Sequence, residues 1–207
     1  MIPFDVLATY FIACVVLAVA PGPDNIFVLT QSALRGRKAG ILIVLGLCTG
    51  LLVHTTGVSL GVAVIFQTSE LAFTLLKLAG AAYLIYLAWG AFRAGATEIA
   101  GEKSALSEAQ LFRRGIIMNV TNPKVTIFFL AFLPQFANPA RGSLSLQMMI
   151  LGAVFIVSAI LVFGAIALMA GTLGEWLKRS ERAQKIMNRI AGVIFLGLAA
   201  RLLLAER

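Results

Sequence analysis

Two ionisable side chains stand inside long apolar runs, where an unpaired charge is costly. Asp24 falls in Ala20-Pro21-Gly22-Pro23-Asp24-Asn25, within an apolar run from Phe4 to Leu34. Lys124 follows Asn122-Pro123 within a second run, Gly115 to Phe136. Each proline lacks an N–H and clashes with the preceding turn, so an ordinary helix cannot continue through either place. A break exposes half-helix ends. Their N–H groups carry partial positive charge and suit a carboxylate, while the freed carbonyls suit an ammonium. An amino-acid zwitterion presents both groups. A charge at mid-bilayer costs about 2.5–3.5 kcal/mol on an insertion scale, and is ordinarily paired or functional. The candidate binding residues are therefore Pro21, Gly22, Pro23, Asp24, Asn25, Asn119, Asn122, Pro123 and Lys124. Asp24 and Lys124 either pair directly or contact opposite ends of a ligand. The plainer alternatives are a kink relieved by neighbouring helices, an N-cap role for Asp24, and asparagines that only satisfy freed backbone.

Other polar residues are weaker candidates. His54, the only histidine, lies mid-segment and titrates near neutral pH. It is a candidate proton carrier after Asp24, or a hydrogen-bonded core residue. Lys77 sits near one end of an apolar segment, where snorkelling to the headgroups also accounts for it. Cys14 and Cys48 lie inside apolar segments and read as packed small residues, with no disulfide or metal site. The chain has no phosphate-binding Gly-rich loop, no His/Cys/carboxylate cluster and no serine nucleophile elbow. It reads as a non-enzyme without cofactor or metal, and not as an ATP-driven pump.

The elements that carry these residues are membrane spans. The chain is 60% hydrophobic and 13% charged, with mean hydropathy +0.95, far from the roughly 45–50% and 25% of soluble domains. A span needs about 20 apolar residues. Six candidates follow: Phe4–Leu34, Ala39–Phe66, Leu71–Phe92, Gly115–Phe136, Leu144–Leu173 and Ile190–Leu204. Ala18-Val19-Ala20 imitates a signal-peptide cleavage site, but Asp5 and the lack of Lys or Arg before it keep the first run in the mature chain. The net charge of +8 does not point to nucleic acid. Arg35, Arg37 and Lys38, then Arg93, Lys103, Arg113 and Arg114, then Lys178, Arg179, Arg182, Lys185 and Arg189 all fall in odd-numbered loops. The positive-inside rule makes those loops cytoplasmic and puts both termini outside. A five-span variant with a re-entrant first run moves only the N-terminus. The expected fold is all-α and polytopic, one transmembrane domain over 1–207. Its halves are about 1–93 and 115–207, joined by a cytoplasmic linker at about 94–114. Each half opens with a proline-broken segment, the pattern of two inverted three-helix repeats around a midplane site.

Several stretches then resemble one family in order along nearly the whole chain. Ala20-Pro21-Gly22-Pro23-Asp24 precedes a glycine-rich second span. Lys77-Leu78-Ala79-Gly80-Ala81-Ala82-Tyr83-Leu84 is similar to a Lys-x-x-Gly-x-x-Tyr-Leu pattern. Asn122-Pro123-Lys124 leads into Phe128-Phe129-Leu130-Ala131-Phe132-Leu133-Pro134-Gln135-Phe136. Together they resemble the lysine-exporter (LysE/RhtB) superfamily, nearer its homoserine/threonine branch. The resemblance implies a bacterial inner-membrane exporter of amino acids or their derivatives, coupled to protons, and a homodimer. It adds Lys77 and Tyr83 as possible site residues. A passive channel and a non-transporting scaffold are the alternatives.

Overall fold

The computed structural model describes residues 2–62, 70–95 and 106–204, and every regular element among them is helical. The helices are α1 (Phe4–Val19), α2 (Pro23–Arg35), α3 (Arg37–Gly57), α4 (Glu70–Arg93), α5 (Glu108–Val120), α6 (Pro123–Ile127), α7 (Leu144–Arg179) and α8 (Glu181–Leu204). A π turn, Val58–Val62, extends α3, and a second, Phe128–Phe132, continues α6 into a 3₁₀ turn at Leu133–Phe136. Four stretches are long and apolar enough to cross a membrane: Arg37–Gly61, Thr74–Arg93, Leu144–Gly171 and Glu181–Leu204. Two bent pairs raise the number to as many as 6 if each is one span. α1 and α2 meet at 62°, and α5 and Pro123–Phe136 at 49°. The chain is a polytopic membrane protein, helical in every element of its described residues. The end of the second segment beyond Val62, the turn after it, and linker residues 96–105 lie outside the described residues.

Local chemistry sets the boundaries. Pro23 and Pro123 each occupy the first turn of a helix, where a missing N–H is harmless. Gly36, at φ +84°, adopts the left-handed turn that lets α3 start directly after α2. Ser107 and Gln110 form a reciprocal capping box at the start of α5, so residues 108–114, read as linker, are helical. The Ser180 hydroxyl accepts from the Ala183 N–H at 3.1 Å and starts α8 one residue after α7 ends. The fifth span, Leu144–Gly171, matches the apolar run, while the helices α7 and α8 extend beyond the runs Leu144–Leu173 and Ile190–Leu204 into Lys- and Arg-bearing turns.

Lipid is as apolar as leucine, so packing rather than water exclusion holds the spans together. Glycines allow the close crossings. A Cβ on Gly46 would stand 2.2 Å from the Phe112 carbonyl, and one on Gly115 2.5 Å from that of Ile43, so the backbones of α3 and α5 touch. Gly152 of α7 meets Thr55 of α3, and Gly192 of α8 meets Phe92 of α4. Tyr10, Phe128, Phe132, Phe136 and Phe155 form a fully packed aromatic core beside α1.

The two ends of the bundle differ. Arg35 Nη1 donates to the Leu106 carbonyl at 2.9 Å, Lys38 pairs with Glu108, and Asn188 Nδ2 donates to the Gly95 carbonyl at 3.2 Å. The three basic loops are thereby gathered at one end. At the other, Tyr10 of α1 lies 4.9 Å from Phe136, and the Arg201 guanidinium stands 4.5 Å over the same ring.

Candidate functional site

The site forms where the two interrupted segments meet. Asn122 caps α6, its Oδ1 accepting from the Lys124 N–H at 3.0 Å. Its Nδ2 donates to Asp24 Oδ2 at 2.8 Å. Both ends of this amide are engaged, so its orientation is fixed. One buried bond thus links the first turns of α2 and α6, 98 residues apart in sequence. At 1.5 Å per residue, about 16 Å of helix separates Asp24 from Arg35 at the basic end. α1 and α2 meet at 62° beside Asp24, which is 1% exposed.

Lys124 does not bond Asp24. Its Nζ donates to the Ala20 carbonyl at 3.0 Å and the Leu17 carbonyl at 3.2 Å. Leu17 lies in the last turn of α1 and Ala20 is its C-cap, where a helix leaves carbonyls without partners. The ammonium complements the negative end of that helix dipole. It has three donors, and two are accounted for. Gly22 makes the approach feasible, since a Cβ there would lie 3.3 Å from Nζ. Asn25 Nδ2 donates to the Ala18 carbonyl at 2.7 Å, bracing the same turn. Pro21 and Pro23 frame Gly22 between α1 and α2.

The second break has a similar clasp. His54 Nε2 lies 3.2 Å from the Asn119 carbonyl near the end of α5. A carbonyl only accepts, so that ring nitrogen carries the hydrogen. Phe129 packs 5.4 Å from the imidazole. Asn119 itself is 2% exposed and fits because Gly50 faces it; a Cβ on Gly50 would come within 2.7 Å of its side chain. This glycine of α3 makes room for a polar residue as well as for a helix.

The unpartnered buried side-chain atoms are mostly acceptors. Among the described residues, Asp24 Oδ1, Asn25 Oδ1, Asn119 Oδ1 and Gln31 Oε1 are buried without partners, along with the Tyr10 hydroxyl. The first four only accept. A buried acceptor left unmade costs about 1–3 kcal/mol, and such groups call for an explanation. Four orphaned acceptors suit a ligand rich in donors.

The structure thus brings Asp24, Asn25, Asn122, Lys124 and Gly22 together, with Asn119 and His54 at the adjoining helix end. Lys77 and Tyr83 sit on α4, which packs on α8 and the Phe128–Phe132 turn. Tyr83 stacks on Tyr86 at 5.9 Å, and no described hydrogen bond joins it to the Asp24 group. Sequence reasoning missed Gln31. Its signal was the spacing of seven from Asp24, which places both on one face of α2.

The profile of the LysE type translocator family matches residues 15–206. The homoserine/homoserine lactone efflux protein of Salmonella typhimurium is 35% identical over 200 residues, 96% of each chain. An uncharacterised membrane protein of Vibrio cholerae is 35% identical, covering 95% of this chain and 96% of its own. The leucine efflux protein of Salmonella choleraesuis is 27% identical over 94% of this chain and 92% of its own. No solved structure matches. A profile match over nearly the whole length, with relatives at 35% identity, places the chain in the LysE type translocator family of membrane transporters, on its RhtB-like side.

Proposed function

We propose that the chain is a secondary transporter that exports neutral amino acids or their derivatives from the bacterial cytoplasm, with homoserine- or threonine-like compounds favoured, and that protons drive it. The carrying observation is the buried junction of two proline-started half-helices with acceptors to spare at Asp24, Asn25 and Asn119. An ammonium offers three donors and no acceptor. It binds at Asp24 Oδ1 with help from the two amide oxygens. The third N–H of Lys124 meets the substrate carboxylate. Asp24 is the proton carrier, because one of its oxygens has no partner; His54, with Nε2 engaged, is second. Homoserine, its lactone and leucine, the compounds named for the relatives, all carry the α-amine; homoserine and leucine also share the carboxylate, which the lactone has esterified.

The proposed architecture is six spans in two inverted halves, with each bent pair one span. The packing supports it. α3 packs on α7 and α4 on α8, the corresponding members of each half, while the broken segments meet at the site. Alternation of the halves about that junction exposes the site to each side in turn. The basic end is cytoplasmic by the positive-inside rule, leaving both termini periplasmic in the inner membrane. Homodimer formation is part of this reading.

Export from energised cells tests it. Cells expressing the protein should keep internal homoserine or threonine below the external level, and an uncoupler should abolish that difference. Efflux that persists downhill and ignores the uncoupler would mark a channel. No change against cells lacking the protein would mark a scaffold.

A further inference from the structure

Gln31 has no part in the reading above, yet it is 1% exposed and its Oε1 has no partner. It lies seven residues after Asp24 on α2, within about 20° of the same face. Three contacts show where that face points. Asp24 bonds Asn122, the Arg114 guanidinium stands 5.6 Å over Phe27, and Arg35 bonds the Leu106 carbonyl. All three partners lie along or beside α5, from its far end to its start. Gln31 therefore sits in the seam between α2 and α5, between the Asp24 junction and the basic end. About 10 Å of helix separates the two Cα atoms. Helical side chains lean toward the N-terminus, so the Gln31 amide is carried toward Asp24. What remains is roughly the length of a short amino-acid side chain. An unpartnered amide oxygen at this depth calls for a partner.

We propose that Gln31 is the specificity-determining residue for the substrate's side chain. With the substrate ammonium at Asp24, the side chain runs down the seam toward the basic end, and Gln31 Oε1 accepts a hydrogen bond from a hydroxyl on its third or fourth carbon. This rests on the exporter reading and deepens it from "amino acid" to "hydroxyl-bearing short-chain amino acid". A site with a buried acceptor for a hydroxyl rejects the analogue lacking it, because the acceptor is then stranded.

The test compares homoserine and threonine with 2-aminobutyrate, which has the same carbon chain without the hydroxyl. Initial rates are measured in inside-out vesicles with an imposed proton gradient. The parent should favour the hydroxy compounds by about tenfold or more in kcat/KM, as one lost hydrogen bond to a buried acceptor implies. Gln31→Met keeps the length and removes the acceptor. It should bring that ratio below about threefold by weakening transport of the hydroxy compounds. The ratio is independent of how much folded protein each vesicle holds. A parent without preference overturns the proposal, whatever the variant's yield, and so does a Gln31→Met protein that keeps the parent's ratio. If the parent moves none of the three compounds, the exporter reading falls and takes this proposal with it. An Asp24→Asn protein that transports as the parent does, beside a Gln31→Met protein that loses the preference, would overturn the role of Asp24 alone.

Discussion

At the residue scale, Asp24 and Lys124 carry opposite charges but do different work. Lys124 is tied into the fold, since two of its donors hold the carbonyls that the break at Pro21–Pro23 sets free. Asp24 keeps one oxygen unengaged. Their neutral variants should therefore separate. Lys124→Met leaves two buried carbonyls without donors. It should lower unfolding free energy by about 1–3 kcal/mol, read as an earlier thermal transition in detergent. Asp24→Asn still offers an oxygen to Asn122 and should melt within about 1 kcal/mol of the parent, while export is lost. The reverse pattern would contradict the assignment. Asp24, Asn122 and Lys124 were legible in the sequence because polar residues beside prolines stand out in an apolar run. The bonds among them were not. A direct Asp24–Lys124 pair was an open alternative, and only the bent geometry shows Lys124 reaching past Asp24 to α1. Gln31 stayed hidden because it lies inside the run Phe4–Leu34 with no proline beside it to mark it.

At the element scale, the glycines divide by what faces them. Gly46→Ala and Gly115→Ala would drive a Cβ into the backbone of the partner helix. Neither helix can yield without opening the α3–α5 crossing, so each should cost about 1–3 kcal/mol or more. Gly57 has nothing within 4 Å. Gly57→Ala should be neutral or stabilising by up to about 1 kcal/mol. Detergent melts of the three proteins check the ordering. The Lys38–Glu108 pair is exposed on both sides, 76% and 63%, and Lys38→Ala should change stability by less than about 1 kcal/mol. Helix existence was readable from hydropathy, but helix length was not. α5, α7 and α8 run on into capped or charged turns, because a membrane ends the apolar run before hydrogen bonding ends the helix.

At the scale of the whole molecule, the orientation rests on where the basic loops gather. Arg182 stands exposed at the basic end and Ala140 in the turn at the other. In intact cells, a membrane-impermeant thiol reagent should label an Ala140→Cys protein and spare an Arg182→Cys protein; the native Cys14 and Cys48 are buried. Labelling of Arg182→Cys alone would invert the topology. The proposal of inverted halves draws on the same packing, in which α3 packs on α7, α4 packs on α8 and Asn122 bonds Asp24. The central claim is that the Asp24 junction couples an amino-acid ammonium to the proton gradient. It is tested most directly in proteoliposomes loaded with the purified parent or its Asp24→Asn variant, given an imposed pH gradient and labelled homoserine, threonine, leucine and lysine. The account predicts that the parent accumulates the neutral amino acids only while the gradient lasts, and that the variant, equally folded, does not. Accumulation by the Asp24→Asn protein equal to the parent's, or movement only down the substrate gradient, would contradict it.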